Sequence, residues 1–229
     1  MITFFDCLSN EMIMDEVDSE ALADAAYGIF EILLNRGLLA RGDPLFARVE
    51  GGVDFQDDFL AIFADFEAEY PPLAAALVGR FGSAAAIYHL ISGGEGVTPS
   101  KTTETYWIIA DDPAAGDVEP YGEQAGKWLI FCETGEVDAL WKKIRDATVA
   151  GDLGVSAKVS TARPNPDSRD ERKVVYVYTR DWSDEADVMR VRSALRALGV
   201  EQRIGYKRNI ETFAGEYAEE GKKVTYYSA

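Results

Sequence analysis

Residues 173–179 read KVVYVYT, and this stretch sets the architecture. It alternates, and it is built from β-branched and aromatic residues, which fit a pleated, half-buried surface. Directly after it, Ser183 or Asp184 is placed to cap a helix that carries Val188, Val191, Leu195 and Leu198 on one face and stops at Gly199. The same design occurs upstream. Residues 127–133, KWLIFCE, form a second strand, followed by Thr134, an acidic turn and a helix with Val137, Leu140, Trp141, Ile144 and Ala147 on one face. Shorter strands are expected at 105–110 (TYWIIA), 156–161 (SAKVST), 204–207 and 224–227, and a loop at 163–172, which holds two prolines. Two strand–helix units with extra strands predict an α+β domain, an antiparallel or mixed sheet with helices on one face.

The residues before this domain differ in composition. The chain of 229 residues has a formal net charge of −17. Residues 1–100 hold seventeen acidic and four basic side chains, so about three quarters of the net charge lies there. The glycines Gly93, Gly94 and Gly96 read as a linker, giving an expected division into an acidic helical region at 1–98 and an α+β domain at 99–229. Within the acidic part, Leu22, Ala26, Ile29 and Leu33 predict one helix, capped by Asp18 or Ser19 and ended at Gly37. Phe55, Phe59, Ile62, Phe63 and Phe66, with Asp54 as cap, predict a second. Pro72 opens a third through Leu73, Leu77, Phe81 and Tyr88. The phenylalanine stripe reads as a core face, and the acidic residues opposite as solvated surface.

These features exclude several functions. A net negative charge argues against sequence-independent binding of duplex DNA. No run of about 18 apolar residues offers a membrane span, and the start of the chain has no basic flank of the signal-peptide kind. Cys7 and Cys132 suggest no disulfide framework. A cytoplasmic location is the expectation. One histidine, His89, sits at a helix end, so neither a histidine-rich zinc site nor a histidine-based nucleophile is expected; no metal and no cofactor are implied.

The second part resembles a known family. The residues that carry the resemblance are 126–131 (GKWLIF), 153–160 (LGVSAKVS), 175–181 (VYVYTRD), Asp187-Val188-Met189, 195–199 (LRALG) and Tyr206-Lys207. They resemble the family of the basophilic-leukemia-expressed (BLES) protein over about residues 106–217. The resemblance implies a fold like that of the mRNA-cap-binding initiation factors, a curved and mainly antiparallel sheet backed by helices. A more distant similarity is to the secreted phosphothreonine lyases. It implies Lys127 as the base that takes the α-proton and Lys158 as a phosphate-holding lysine. Leu129 stands where those enzymes place a histidine, so Tyr176, Tyr178 or Tyr206 would have to serve as the acid.

The residues themselves point to anion chemistry. Lys127 and Lys158 are strand-interior lysines between apolar neighbours, pointing either to solvent on the sheet's open face or into a pocket, where desolvation would lower their pKa values. With Arg172, Lys173, Arg190 and Lys207 they could form a site for an anionic small molecule, a nucleotide or a phosphopeptide. Trp182, in the loop after the strong strand, is placed to reach a ligand. Trp141 belongs to a helix core face, and no pair among Trp107, Trp128, Trp141 and Trp182 can be assigned to gripping a methylated guanine. Three expectations follow: a module that binds a phosphate-bearing ligand on the sheet, a lyase with an altered acid, or an acidic protein whose residues 1–98 cover a basic partner or mimic nucleic acid.

Overall fold

The computed structural model describes residues 4–116, 118–165, 171–213 and 225–229. The chain forms two compact units, Met1–Thr105 and Tyr106–Ala229, each with its own apolar core.

The first unit is helical: α1 (Phe4–Ala40), α2 (Leu45–Gly51), α3 (Gln56–Glu69), α4 (Pro71–Phe81) and α5 (Ala84–Ser92), followed by a short 3-10 turn at Pro99–Lys101. Its core gathers around Phe30, whose ring lies 5.5, 5.2 and 5.3 Å from those of Phe59, Phe63 and Phe66. Asp54, the expected cap, lies one residue before the observed N-cap Phe55. Its Oδ1 accepts the Gln56 amide at 3.0 Å and the Tyr88 hydroxyl at 2.7 Å, tying α3 to α5.

Three expectations for this unit need correction. The first helix runs through Asp18 and past Gly37 to Ala40. Its buried stripe is Ala23, Ala26, Tyr27, Phe30, Leu34 and Leu38, while Leu22 and Ile29 are exposed. The segment offers two apolar faces, and the larger aromatic one wins the core. The expected third helix is two helices. It starts at Pro71, and it breaks at Gly82, whose φ of 88° only glycine adopts readily, before Ser83 caps α5 by accepting the Ala86 amide at 3.1 Å. The short α2 carried no apolar period long enough to read. Among the described residues no single helix is long and apolar enough to cross a membrane. The bent pair α4–α5 is apolar in composition, but its Leu77, Ile87 and Ile91 are buried in the core of this unit.

The second unit is a six-stranded sheet with helices on one face. Its elements are β1 (Trp107–Asp111), β2 (Gly126–Cys132), α6 (Val137–Val149), β3 (Ser156–Ser160), β4 (Lys173–Thr179), α7 (Glu185–Ala197), β5 (Gly205–Arg208), α8 (Asn209–Phe213) and β6 (Tyr227–Ser228). The strand order is β1-β3-β4-β2-β5-β6, and every pairing is antiparallel. The sheet is curved and does not close into a barrel. Residues 166–170 of the expected loop and Val224 of the last expected strand lie outside the described residues.

One face of the sheet carries Ile108, Ala110, Trp128, Ile130, Ala157, Val159, Val175, Val177 and Tyr206 against Val137, Trp141 and Ile144 of α6 and Val188, Val191 and Leu195 of α7. The Trp128 indole donates to the Val188 carbonyl at 3.1 Å, so the central strand is fixed to α7 as well as packed on it. Asp184 caps α7 by accepting the Asp187 amide at 3.1 Å. Two glycines allow close approach. A Cβ on Gly126 would lie 2.2 Å from the Tyr206 hydroxyl, and one on Gly154 would lie 2.2 Å from the Tyr178 carbonyl oxygen.

Candidate functional site

The face of the sheet opposite α6 and α7 is where the strand register gathers chemistry. Side chains alternate along a strand, and residues paired across strands point the same way. Lys127 pairs with Tyr178 on one side and with Lys207 on the other; Tyr178 pairs with Ser156. The row across the sheet is therefore Asp111, Ser156, Tyr178, Lys127 and Lys207, with Asp111 on the exposed edge strand. The next row is Ile109, Lys158, Tyr176, Leu129 and Gly205. Lys127, Lys158 and Lys207 thus share one face, contributed by three strands. Both Lys127 and Lys207 are 8% exposed, an unusual degree of burial for lysine.

Aromatic rings surround these cations. The Lys158 ammonium lies 4.3 Å from the Trp107 ring centre and 5.4, 5.5 and 5.9 Å from those of Tyr121, Tyr176 and Tyr178. The Lys127 ammonium is 5.5 Å from the centres of both Tyr176 and Tyr178. The same two tyrosines therefore stand between the two lysines, and the ring faces partly compensate the charges. Trp107 stacks on Tyr176 at 5.3 Å and Tyr121 meets Tyr178 edge-on at 5.0 Å.

The electrostatics follow from this crowding. Burial, then Lys158 and Lys207, hold Lys127 down to about 8. Burial also lowers Lys158. The Tyr178 hydroxyl is pushed up by burial, with Tyr121 and Tyr176 adding to it, so it stays protonated at any physiological pH. Lys127 is fixed by Asn209, whose Oδ1 accepts from Nζ at 3.0 Å. Asn209 is itself oriented, since its amide group donates to the Pro120 and Gly122 carbonyls at 3.0 and 3.1 Å.

Not every residue expected in an anion site is brought to this face. The Arg172 guanidinium lies over the Phe131 ring at 5.2 Å. Phe131 is four residues along β2 from Lys127, about 13 Å at strand rise, so Arg172 stands at the rim. Lys173 falls on the helix side of β4, and its ammonium donates to the Thr161 carbonyl at 2.6 Å. Arg190 is on α7, behind the sheet, where it bonds Asp187 at 2.8 Å and the Leu153 carbonyl at 2.7 Å. There it lines a cleft of about 310 Å³ with Asp112, Arg180, Asp181, Asp184 and Asp187. Trp182 packs against the helix-side core and meets the Tyr226 ring at 5.3 Å, with Arg208 over both rings at 4.8 and 4.4 Å. Position on α7 and packing against the helix-side core therefore remove Arg190 and Trp182 from the lysine face. Leu129 occupies that face two residues from Lys127, where the lyase comparison would require a histidine. His89 is an exposed residue of the helical unit.

Trp107, Tyr121 and Asn209 were not singled out from sequence as members of this face. Trp107 was legible only as a strand residue of undetermined side. Tyr121 and Asn209 lie outside the strands that carry the lysines, so no periodicity reaches them.

Residues 119–214 match the family model described as Basophilic leukemia-expressed protein Bles03. The match includes Lys127, Lys158, Lys207 and Asn209 and leaves out Trp107, and it is narrower than the span 106–217 expected from sequence. Among solved structures, the chain is similar to schistosome eIF4E complexed with m7GpppA and 4E-BP, at 15% identity and a TM-score of 0.38, covering 48% of this chain and 62% of that one. It is similar to C. elegans eIF4E-3 with the 4E-binding protein Mextli and a cap analog at 18% identity and a TM-score of 0.38, covering 54% of this chain and 67% of the other. Ascaris suum eIF4E-3 with an m2,2,7G cap follows at 18% identity and a TM-score of 0.32, covering 44% and 60%. The chain thus spans about three fifths to two thirds of the length of these proteins. It carries a Bles03-matching segment over residues 119–214 and bears a distant structural resemblance to the eIF4E fold.

Proposed function

We propose that the face of the sheet opposite α6 and α7 binds a phosphate-bearing ligand through Lys127, Lys158 and Lys207. The observation that supports this most is the convergence of three lysines from three strands, two of them largely buried; burial first, and then the two neighbouring lysines, depress Lys127 to about 8. Crowding like charges costs stability. A dianion placed among them reverses the sign of that interaction, and charge-assisted hydrogen bonds to phosphate add to it. The four rings around Lys158 already hold a cation, so a methylated guanine, itself cationic, gains nothing there.

The test is a thermal-shift panel of inorganic phosphate, pyrophosphate, GTP, m7GTP and a phosphothreonine peptide. Phosphate-bearing compounds should raise Tm, with m7GTP no better than GTP, and the Lys127→Ala, Lys158→Ala double variant should lose the shift. A panel without any stabilising anion, or an equal shift in the double variant, contradicts the reading.

The depressed Lys127 also favours a second reading, elimination from a phosphorylated residue. Lys127 would take the α-proton, a carbon–carbon double bond would form, and the Cβ–O bond would break to release phosphate. Burial makes the Tyr178 hydroxyl on the same face a weak proton donor, so phosphate would leave as the anion, with Lys158 and Lys207 balancing its charge. A phosphothreonine peptide should then lose the mass of phosphoric acid on incubation; an unchanged mass removes this reading and leaves the binding one.

A further inference from the structure

We infer that Lys127 is an amine nucleophile that holds the carbonyl group of a small phosphate-bearing aldehyde as an imine, with Lys158 and Lys207 holding the phosphate. This rests on the anion-binding reading of the same face and adds a covalent chemistry to it.

Three features of the geometry carry the inference. Lys127 is directly paired across the sheet with Lys207 and shares the Tyr176 and Tyr178 rings with Lys158, so it has a cation on either side. A lysine desolvated beside other cations is the usual arrangement for an amine that reacts with carbonyls. Second, the amine is oriented. Asn209 is 2% exposed, its backbone amide donates to the Ala125 carbonyl at 3.0 Å, and its side-chain amide donates to Pro120 and Gly122. Its Oδ1 is thereby turned to Lys127 and fixes Nζ at 3.0 Å. Third, Leu129 and Tyr176 beside it present carbon surface on the same face, which limits water at the reacting atom. Held at about 8, Lys127 is neutral in roughly a tenth of molecules at pH 7, far more than an ordinary surface lysine.

The step balances without an oxidant or reductant. The Nζ lone pair adds to the carbonyl carbon, a proton passes from nitrogen to the former carbonyl oxygen, and loss of water leaves a C=N bond. Hydrolysis reverses it.

The experiment uses the full chain with glyceraldehyde 3-phosphate and, in parallel, glyceraldehyde, each trapped by sodium cyanoborohydride, which delivers hydride to the imine carbon. Modified lysines are located by peptide mass spectrometry. The phosphorylated aldehyde should label Lys127 at least about tenfold over exposed Lys142 and Lys143, pyrophosphate should suppress that label, and Lys127→Arg should abolish it. The map on the unsubstituted protein needs no variant to fold. Labelling spread evenly over surface lysines overturns the inference. If pyrophosphate stabilises the protein yet Lys127 is not labelled, the imine falls and the anion site stands. If glyceraldehyde labels Lys127 as well as its phosphate does, the anion reading falls and the nucleophile stands.

Discussion

Lys127 is held between two demands, a fold that disfavours its charge and a ligand that would need it. Its pKa of about 8 lies below the ordinary lysine value of 10.5 because burial and two lysines oppose protonation. A bound phosphate requires the protonated form. Affinity for pyrophosphate should therefore be full at about pH 7 and fall as pH rises through about 8. The loss of one charged hydrogen bond amounts to about 1.5–3 kcal/mol, or roughly ten- to a hundredfold in Kd. Calorimetric titration across pH measures this, and Lys127→Arg should lack the fall. Glu31 shows the opposite case in the helical unit. Burial first, then Glu95, raise its carboxyl from 4.5 to about 7. Below about pH 4.5 both folded and unfolded chains hold the proton, and Glu31 costs nothing. Between about 4.5 and 7 only the folded chain keeps it, so stability declines with pH and the full cost is present above 7. Glu31→Gln should equal the unsubstituted protein near pH 4 and exceed it above pH 7 by about 3 kcal/mol in urea unfolding. That Lys127 and Lys158 were unusual lysines was legible, because each interrupts an apolar strand. That they share a face with Lys207 was not, since sharing depends on strand order and register, which local pattern leaves open.

At the scale of elements, the strong alternation of KVVYVYT and the repeated strand–helix design appear as β4 with α7 and β2 with α6, with bounds close to those expected. The helical unit was less legible. In α1 two apolar faces compete, and only the packing of Phe30 against Phe59, Phe63 and Phe66 selects one. Arg190 and Trp182 illustrate the same limit for the site: their charge and size invite a ligand, but position on α7 or on the helix side of the sheet directs them elsewhere. Two substitutions test how the sheet is held. Gly154→Ala would push a methyl into the Tyr178 carbonyl, part of the link where Val155 donates to that oxygen at 3.0 Å. It should destabilise by about 1–3 kcal/mol, read as a lower urea midpoint. Arg192 is 1% exposed and donates to the carbonyls of Val200, Gln202 and Ala229 at 2.7, 2.7 and 3.1 Å. Arg192→Ala leaves three acceptors without it and should cost about 3 kcal/mol or more in the same measurement.

For the whole molecule, the net charge of −17 is a poor guide to the charge of the second unit, because most of it lies in the first 100 residues. The face of Tyr106–Ala229 opposite α6 and α7 brings Lys127, Lys158 and Lys207 together within an acidic protein. The residues named on the lysine face belong to that second unit, which has its own core. A fragment of residues 106–229 should therefore unfold cooperatively on heating and keep its stabilisation by pyrophosphate; a fragment without a cooperative transition would show that the core of this unit is insufficient alone. A three-lysine anion site is tested by a pyrophosphate titration of the full chain followed through the 13Cε resonances of its lysines by NMR. Lys127, Lys158 and Lys207 should shift together along one saturating curve, well beyond Lys142 and Lys143. Shifts at those three no larger than at the exposed lysines would contradict it.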